Sequence, residues 1–135
     1  MPMQNKLDHY SFLSRCKALA QLRSESAAAA VILTTFDNKY ILQKRDIFPH
    51  VWFPNFWGCF GGALEQGETL ILTAQRETRE ELGINLSIDN LKYFTEITFD
   101  LAVCGSDNKY RIYFECKLNE GVEKTMVLSE GQEIG

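Results

Sequence analysis

The chain has 135 residues, enough for one domain built around one core, and its apolar and aromatic fractions, 45% and 12%, are those of a soluble globular protein. Its net charge of −4 argues against a surface made to hold a nucleic-acid backbone, while a nucleotide stays open as substrate if a bound cation neutralises its phosphates. No apolar run approaches the ~18 residues that cross a membrane, and four cysteines at 16, 59, 104 and 116, without a C-x-x-C pair, read as reduced thiols of a cytoplasmic protein.

Leu7 to Leu22 reads as a helix, with Leu7, Tyr10 and Leu13 on related faces, and Ser24 to Ser26 ends it. The same stretch carries Lys6, Arg15, Lys17 and Arg23 with few acids, as an organelle transit peptide does; a helix docked on the domain is the preferred reading. Ala27 to Phe36 reads as a buried strand, Asp37-Asn38 as a turn and Tyr40 to Lys44 as a second strand, so the two form a hairpin. An irregular aromatic loop follows from Arg45 to Phe56, with Pro49 and Pro54 in it. Trp57 to Gly61 reads as a short strand, with Trp57 in the core. Residues 62–68 read as a loop, Thr69 as the N-cap of a helix reaching about Leu82, and Gly83 as the left-handed residue after it. Leu91 to Val103 reads as a strand, Gly105 to Asn108 as a turn, and Tyr110 to Leu118 as a strand with Ile112 and Phe114 on one face and Tyr113 on the other. Val122 to Leu128 reads as a weaker strand or extended segment. Several strands around one well-marked helix predict an α+β fold with a mixed sheet.

The chemistry concentrates between Gly62 and Ile84, where 23 residues hold five glutamates, two arginines and three glycines. On a helix, Glu77, Glu80 and Glu81 fall within about 100° of arc. Ile71, Ala74, Thr78 and Leu82 form a neighbouring, mostly apolar stripe. The helix therefore offers one face to bury and, beside it, a patch of carboxylate oxygens of the kind that hard divalent cations take. Like charges at i,i+3 and i,i+4 repel by a few tenths of a kcal/mol per pair. Arg76 offsets part of this and can reach Glu80. A solvated, ion-paired helix face would explain the charges equally, but not the glycine pair Gly61-Gly62 just ahead of them.

This segment resembles the Nudix box, G-x5-E-x7-R-E-U-x-E-E-x-G-U, where U is bulky and apolar. Gly62, Glu68, Arg76-Glu77, Glu80-Glu81 and Gly83-Ile84 meet every fixed letter, and Thr78, half apolar, stands at the first U. The resemblance implies a single Nudix-type α/β/α sandwich over residues 1–135, with a mixed central sheet, the box as loop-helix-loop, and residues 1–24 as a helical extension. Nudix proteins usually carry a further helix after the last strand. Here the sequence stops at Gly135, so that helix is absent, or the chain is truncated, or the N-terminal helix fills its place.

The resemblance also implies Mg²⁺, or Mn²⁺ in its stead, held by Glu77, Glu80, Glu81 and the Gly61 backbone carbonyl. Glu77 or Glu80 would act on the attacking water, and Arg76 and Glu68 would hold the loop against the helix and aim the ligands. The reaction implied is hydrolysis of a nucleoside diphosphate linked to another moiety. Among other acids, Glu65 reads as surface charge, and Asp107, Glu130 and Glu133 are weak candidates for a further ligand. Lys44 and Arg45 are placed to contact phosphate or to end a strand in solvent. Trp52 and Phe53, between Pro49 and Pro54, are placed to stack on a base or to plug the core. A homodimer is compatible with all this. Phe60 stands where many family members have proline before the paired glycines, and no marker of a particular leaving group is evident. Two other readings share the fold: a noncatalytic nucleotide-binding module, which has no need of all three glutamates, and an isopentenyl diphosphate type of isomerase. The latter expects additional catalytic Cys and metal-binding histidines, and only His9 and His50 occur.

Overall fold

A computed structural model of the chain describes residues 27–48, 55–99, 109–129 and 131–135. The helix expected over 7–22 and the turn at 105–108 lie outside the described residues, as do Trp52, Phe53, Asp107 and Glu130. The elements are β1 (Ala27–Thr34), β2 (Tyr40–Ile41), β3 (Gln43–Lys44), β4 (Trp57–Gly58), β5 (Phe60–Ala63), α1 (Leu70–Leu82), β6 (Lys92–Phe99), β7 (Lys109–Lys117) and β8 (Glu133–Ile134).

β1 is the centre of a five-stranded mixed sheet. One edge pairs in parallel with β7, from Ala27↔Tyr110 to Thr34↔Lys117. The other edge takes β5 over Ala28–Val31 and β2 over Leu33–Thr34, both antiparallel. β6 closes the sheet against β7, with an irregularity between Tyr93 and Thr95. Strand alternation places Ala27, Ala29, Val31 and Leu33 on one face, and Ile112, Phe114 and Cys116 join them there; all are buried. α1 lies on this face and completes the core with Leu70, Ala74 and Leu82. Phe60, Leu33 and Leu82 are fully buried, and truncating any of them to alanine should cost about 2–5 kcal/mol.

The sequence places several elements as observed and misplaces others. The hairpin forms, with Thr35 Oγ1 donating to Asp37 at 2.6 Å inside its turn. The strand expected over 40–44 is broken at Leu42 into β2 and β3. Its second half leaves the main sheet for a three-stranded one, in the order β4-β3-β8. Leu42 exchanges both backbone hydrogen bonds with Gly135, at 2.9 and 3.0 Å. Trp57 is not core: it is 47% exposed, because it lies on this small sheet with its ring against Gly135. The strand expected to end at Gly61 runs on through Ala63 as β5, so Gly62 belongs to a strand rather than to the loop. Of residues 122–128, expected as a weaker strand or extended segment, Val122–Thr125 form a short 3-10 turn and Met126 after them is extended; the strand that does form, β8, comes later.

Candidate active site

α1 begins and ends as its sequence dictates. The Thr69 side chain accepts from the Leu72 amide at 3.4 Å, and Gly83, at φ 70°, donates its amide to the Arg79 carbonyl at 2.9 Å. Thr78 is buried and donates its hydroxyl to the Ala74 carbonyl at 2.8 Å. That satisfies its polar atom, so threonine serves at a position that favours an apolar side chain.

The buried face is wider than the expected stripe. Leu70, Thr73 and Glu81 join Ala74, Thr78 and Leu82, while Ile71 is only half-buried. Glu81 is 3% exposed. A buried carboxylate needs hydrogen-bonded partners, and the Gly61 amide donates to Glu81 Oε2 at 3.1 Å. Gly61 can do this because it lies hard against β1: a Cβ there would fall 2.1 Å from the Ala29 carbonyl oxygen. Gly62 faces the helix, and a Cβ on it would fall 2.3 Å from Glu77 Oε1. The Glu77 carboxylate thus occupies the space that the missing side chain leaves. The two glycines seat two carboxylates of α1 on β5, and that explains their place ahead of the helix.

Arg76 gathers the rest. Its Nε and Nη2 donate to the two oxygens of Glu68, at 2.7 and 3.1 Å, a forked pair. Nη2 also donates to the Ala63 carbonyl at 3.0 Å. Nη1 donates to Glu77 Oε1 at 2.9 Å and to Glu80 Oε2 at 3.1 Å. Glu65 approaches the same nitrogen at 3.5 Å, so it is more than free surface charge, although its side chain is 65% exposed. One guanidinium therefore ties the loop to the helix and offsets the repulsion among the glutamates. It holds the Glu68 carboxyl below the usual carboxylate range, helped by the Glu65 amide and the Thr73 hydroxyl and opposed by partial burial. Glu68 in turn raises the guanidinium's own affinity for its proton. Thr73, fully buried, donates to Glu68 Oε1 at 3.0 Å. The sequence reading missed it, since no periodicity marks a helical threonine that reaches back to a preceding loop.

The donors suit a hard divalent cation. Glu77, Glu80 and Glu81 offer carboxylate oxygens, Glu77 in the cradle over Gly62 and Glu81 fixed by Gly61. Among the described residues no three acidic, histidine or cysteine side chains converge as a ready-made cage. Glu77 and Glu80 instead share Arg76 Nη1, and Glu80, 55% exposed, is the carboxylate with room to turn.

Lys44 ends β3 half-buried, with its Nζ 3.9 Å from Glu133 on β8. That places Glu133 on the small sheet. Arg45 follows, its amide donating to the Phe56 carbonyl at 2.8 Å. Burial pushes the thiols of Cys59 and Cys116 up from their ordinary range, Cys59 against a partial pull from Arg111. Both are free cysteines, and neither is a thiolate ready for nucleophilic chemistry at neutral pH. No helix among the described residues is long and apolar enough to cross a membrane.

A family profile for the NUDIX domain matches residues 24–134. Over 70 residues, 49% of this chain and 22% of the relative, the chain is 36% identical to an m7GpppN-mRNA hydrolase, NUDT17, of Xenopus laevis. Over 40 residues, 30% of this chain and 28% of the relative, it is 48% identical to a nucleoside triphosphatase, NudI, of Enterobacter sp. (strain 638). The matched stretches thus span less than a third of either curated relative. Among solved structures, a MutT NUDIX hydrolase from Burkholderia pseudomallei superposes with a TM-score of 0.67 at 18% identity, covering 82% of this chain and 80% of that one.

Proposed function

The chain belongs to the NUDIX domain family, and from that premise we propose that it hydrolyses a nucleotide-type diphosphate with the help of Mg²⁺, for which Mn²⁺ could substitute. The observation that carries this reading is the seating of Glu77 and Glu81 on the glycine pair of β5. A helix that merely solvates its charges would not need two glycines to take its carboxylates in.

Glu77, Glu80, Glu81 and the Gly61 carbonyl would hold the ion, which when bound neutralises phosphate oxygens and makes a coordinated water more acidic. Arg76 keeps Glu77 and Glu80 aimed together while Glu68 locks Arg76 to the loop. We assign Glu77, with Glu80 as the other candidate, to orient the attacking water and take its proton. Water adds at phosphorus as the bridging P–O bond breaks, leaving a nucleoside monophosphate and a phosphorylated product. Lys44 and Arg45 at the end of β3 are assigned to the phosphates, and Trp52 and Phe53 to the base. We place the whole chain, 1–135, as one domain in the cytoplasm, where its free thiols would stay reduced. A homodimer fits this reading equally well. The isomerase reading fits the raised thiol of Cys59 poorly, since a catalytic cysteine is usually a lowered one.

The test is turnover, with Mg²⁺, of a panel spanning nucleoside triphosphates, nucleotide sugars, dinucleoside polyphosphates and an m7GpppN cap compound. Turnover of at least one member is expected, with a loss of about 100-fold or more in Glu77→Gln. Full activity in Glu77→Gln would remove the assignment. A folded, metal-supplied protein that turns over nothing but binds nucleotide would make it a binding module.

A further inference from the structure

Residues 127–129 and 131–135 touch both halves of the site. At one end the Val127 and Ser129 amides donate to the Leu82 and Glu81 carbonyls, at 3.0 and 2.9 Å. They satisfy two of the carbonyls that the last turn of α1 leaves without helical partners. At the other end the Gln132 amide donates to the Lys44 carbonyl at 2.8 Å, and β8 then pairs with β3. The Gln132 side chain does something more specific. Its Nε2 donates to the Arg45 carbonyl at 2.7 Å and to Asn55 Oδ1 at 3.0 Å. Arg45 and Asn55 are the two sides of the neck between which residues 46–54 connect, and the Asn55 amide itself donates to the Arg45 carbonyl at 3.2 Å.

We propose that Gln132 is a positioning residue for substrate: it clamps the neck between Arg45 and Asn55 and so fixes the end of β3 that carries Lys44 and Arg45. Two observations make this more than generic packing. Both hydrogens of one amide nitrogen are spent on opposite sides of one neck, a geometry that only a side-chain carboxamide or a longer cation could supply. The turn before it is also built for the purpose. Gly131 takes φ 86°, donates its amide to Asp46 Oδ2 at 3.2 Å, and lies where a Cβ would fall 2.9 Å from the Lys44 carbonyl oxygen. The inference rests on the hydrolase reading for its kinetic consequence, but not for the clamp itself.

The experiment uses the full chain with Gln132→Ala, Gln132→Glu and Asn55→Gly. Asn55 sits at φ 65°, where glycine removes the acceptor without strain. On a substrate that the wild type turns over, Gln132→Ala should raise KM by about 3- to 10-fold and leave kcat within about 2-fold, because it moves the substrate-holding strand and not the carboxylates. Gln132→Glu should be worse, since it turns an oxygen toward two acceptors. Adding Asn55→Gly to Gln132→Ala should cost less than the two single losses multiplied. The second readout, amide hydrogen exchange, needs no turnover: Asn55 and Gly131 should exchange faster in Gln132→Ala while α1 keeps its protection. If the wild type turns over nothing, the hydrolase reading fails and exchange alone judges the clamp. Unchanged KM and unchanged exchange would overturn the proposal, as would a uniform loss of protection across the fold.

Discussion

At the scale of single residues, the two glycines of β5 do different work, and substitution separates them. A methyl at Gly62 meets the far end of a flexible side chain, Glu77. Gly62→Ala should therefore fold with less than about 1 kcal/mol lost, because Glu77 can rotate away, yet lose metal-supported turnover by about 10-fold or more. A methyl at Gly61 meets the backbone of Ala29 and Ala30, which cannot move aside cheaply. Gly61→Ala should lose about 2 kcal/mol or more, and urea unfolding of the two variants checks the contrast. Glu68 gives a prediction in pH. Arg76 lowers its folded pKa below that of the unfolded chain, so its stabilisation is full above the ordinary glutamate range and fades as pH falls through the folded value. Glu68→Gln should cost about 1–2 kcal/mol at pH 7, and the gap in Tm should narrow as pH falls below the ordinary glutamate range. A gap that stays constant down to the acid unfolding of the wild type would mean that the pair with Arg76 is not its source.

At the scale of elements, α1 is where sequence and structure agree best, because everything that sets it is local. Its cap, its closing glycine, its buried stripe and the Arg76–Glu80 contact are all spaced within a few residues of one another. Thr69→Ala should lower stability by about 0.5–1 kcal/mol, at the low end of cap effects because the bond to Leu72 is long. Thermal melts of the two proteins would show it. The burial of Glu81 was legible only in part. Seven residues after Ala74, it lies at the edge of the buried stripe, but only the approach of β5, 20 residues back along the chain, provides the amide that lets a carboxylate go inside. The same limit explains the strand at 40–44. Its composition reads as one continuous strand, and its break at Leu42 depends on pairing with Gly135, far along the chain. Strand residues were recovered where a continuous apolar run or alternation could mark burial, as in β1 and β7 respectively. They were lost in β8, two exposed residues with no pattern to read.

At the scale of the molecule, the family match and the superposed structure give the fold as a Nudix-type α+β arrangement, as the box alone had implied. The contribution of the small sheet was not foreseeable, because its three strands of two residues each are held by their partners rather than by propensity. If the carboxylates bind an ion, the whole fold should be stabilised by it. Mg²⁺ at 100 times its Kd adds about 2.7 kcal/mol, so Tm should rise with Mg²⁺ in the wild type and much less in Glu77→Gln. A Tm indifferent to Mg²⁺ would place the ion elsewhere or with the substrate. The parallel ladder of β1 with β7 carries one more consequence, for the order of events during synthesis. β5, which receives Glu77 and Glu81, leans on one edge of β1, and the other edge of β1 is completed only by residues 109–117. Parallel pairs so distant in sequence form late, after loop closure has been overcome. On the ribosome, the box will have emerged whole well before its seat exists. If the carboxylates hold an ion, a nascent chain halted after Ile84 should therefore carry every fixed letter of the box and yet bind no Mg²⁺, gaining that capacity in one step when β7 arrives.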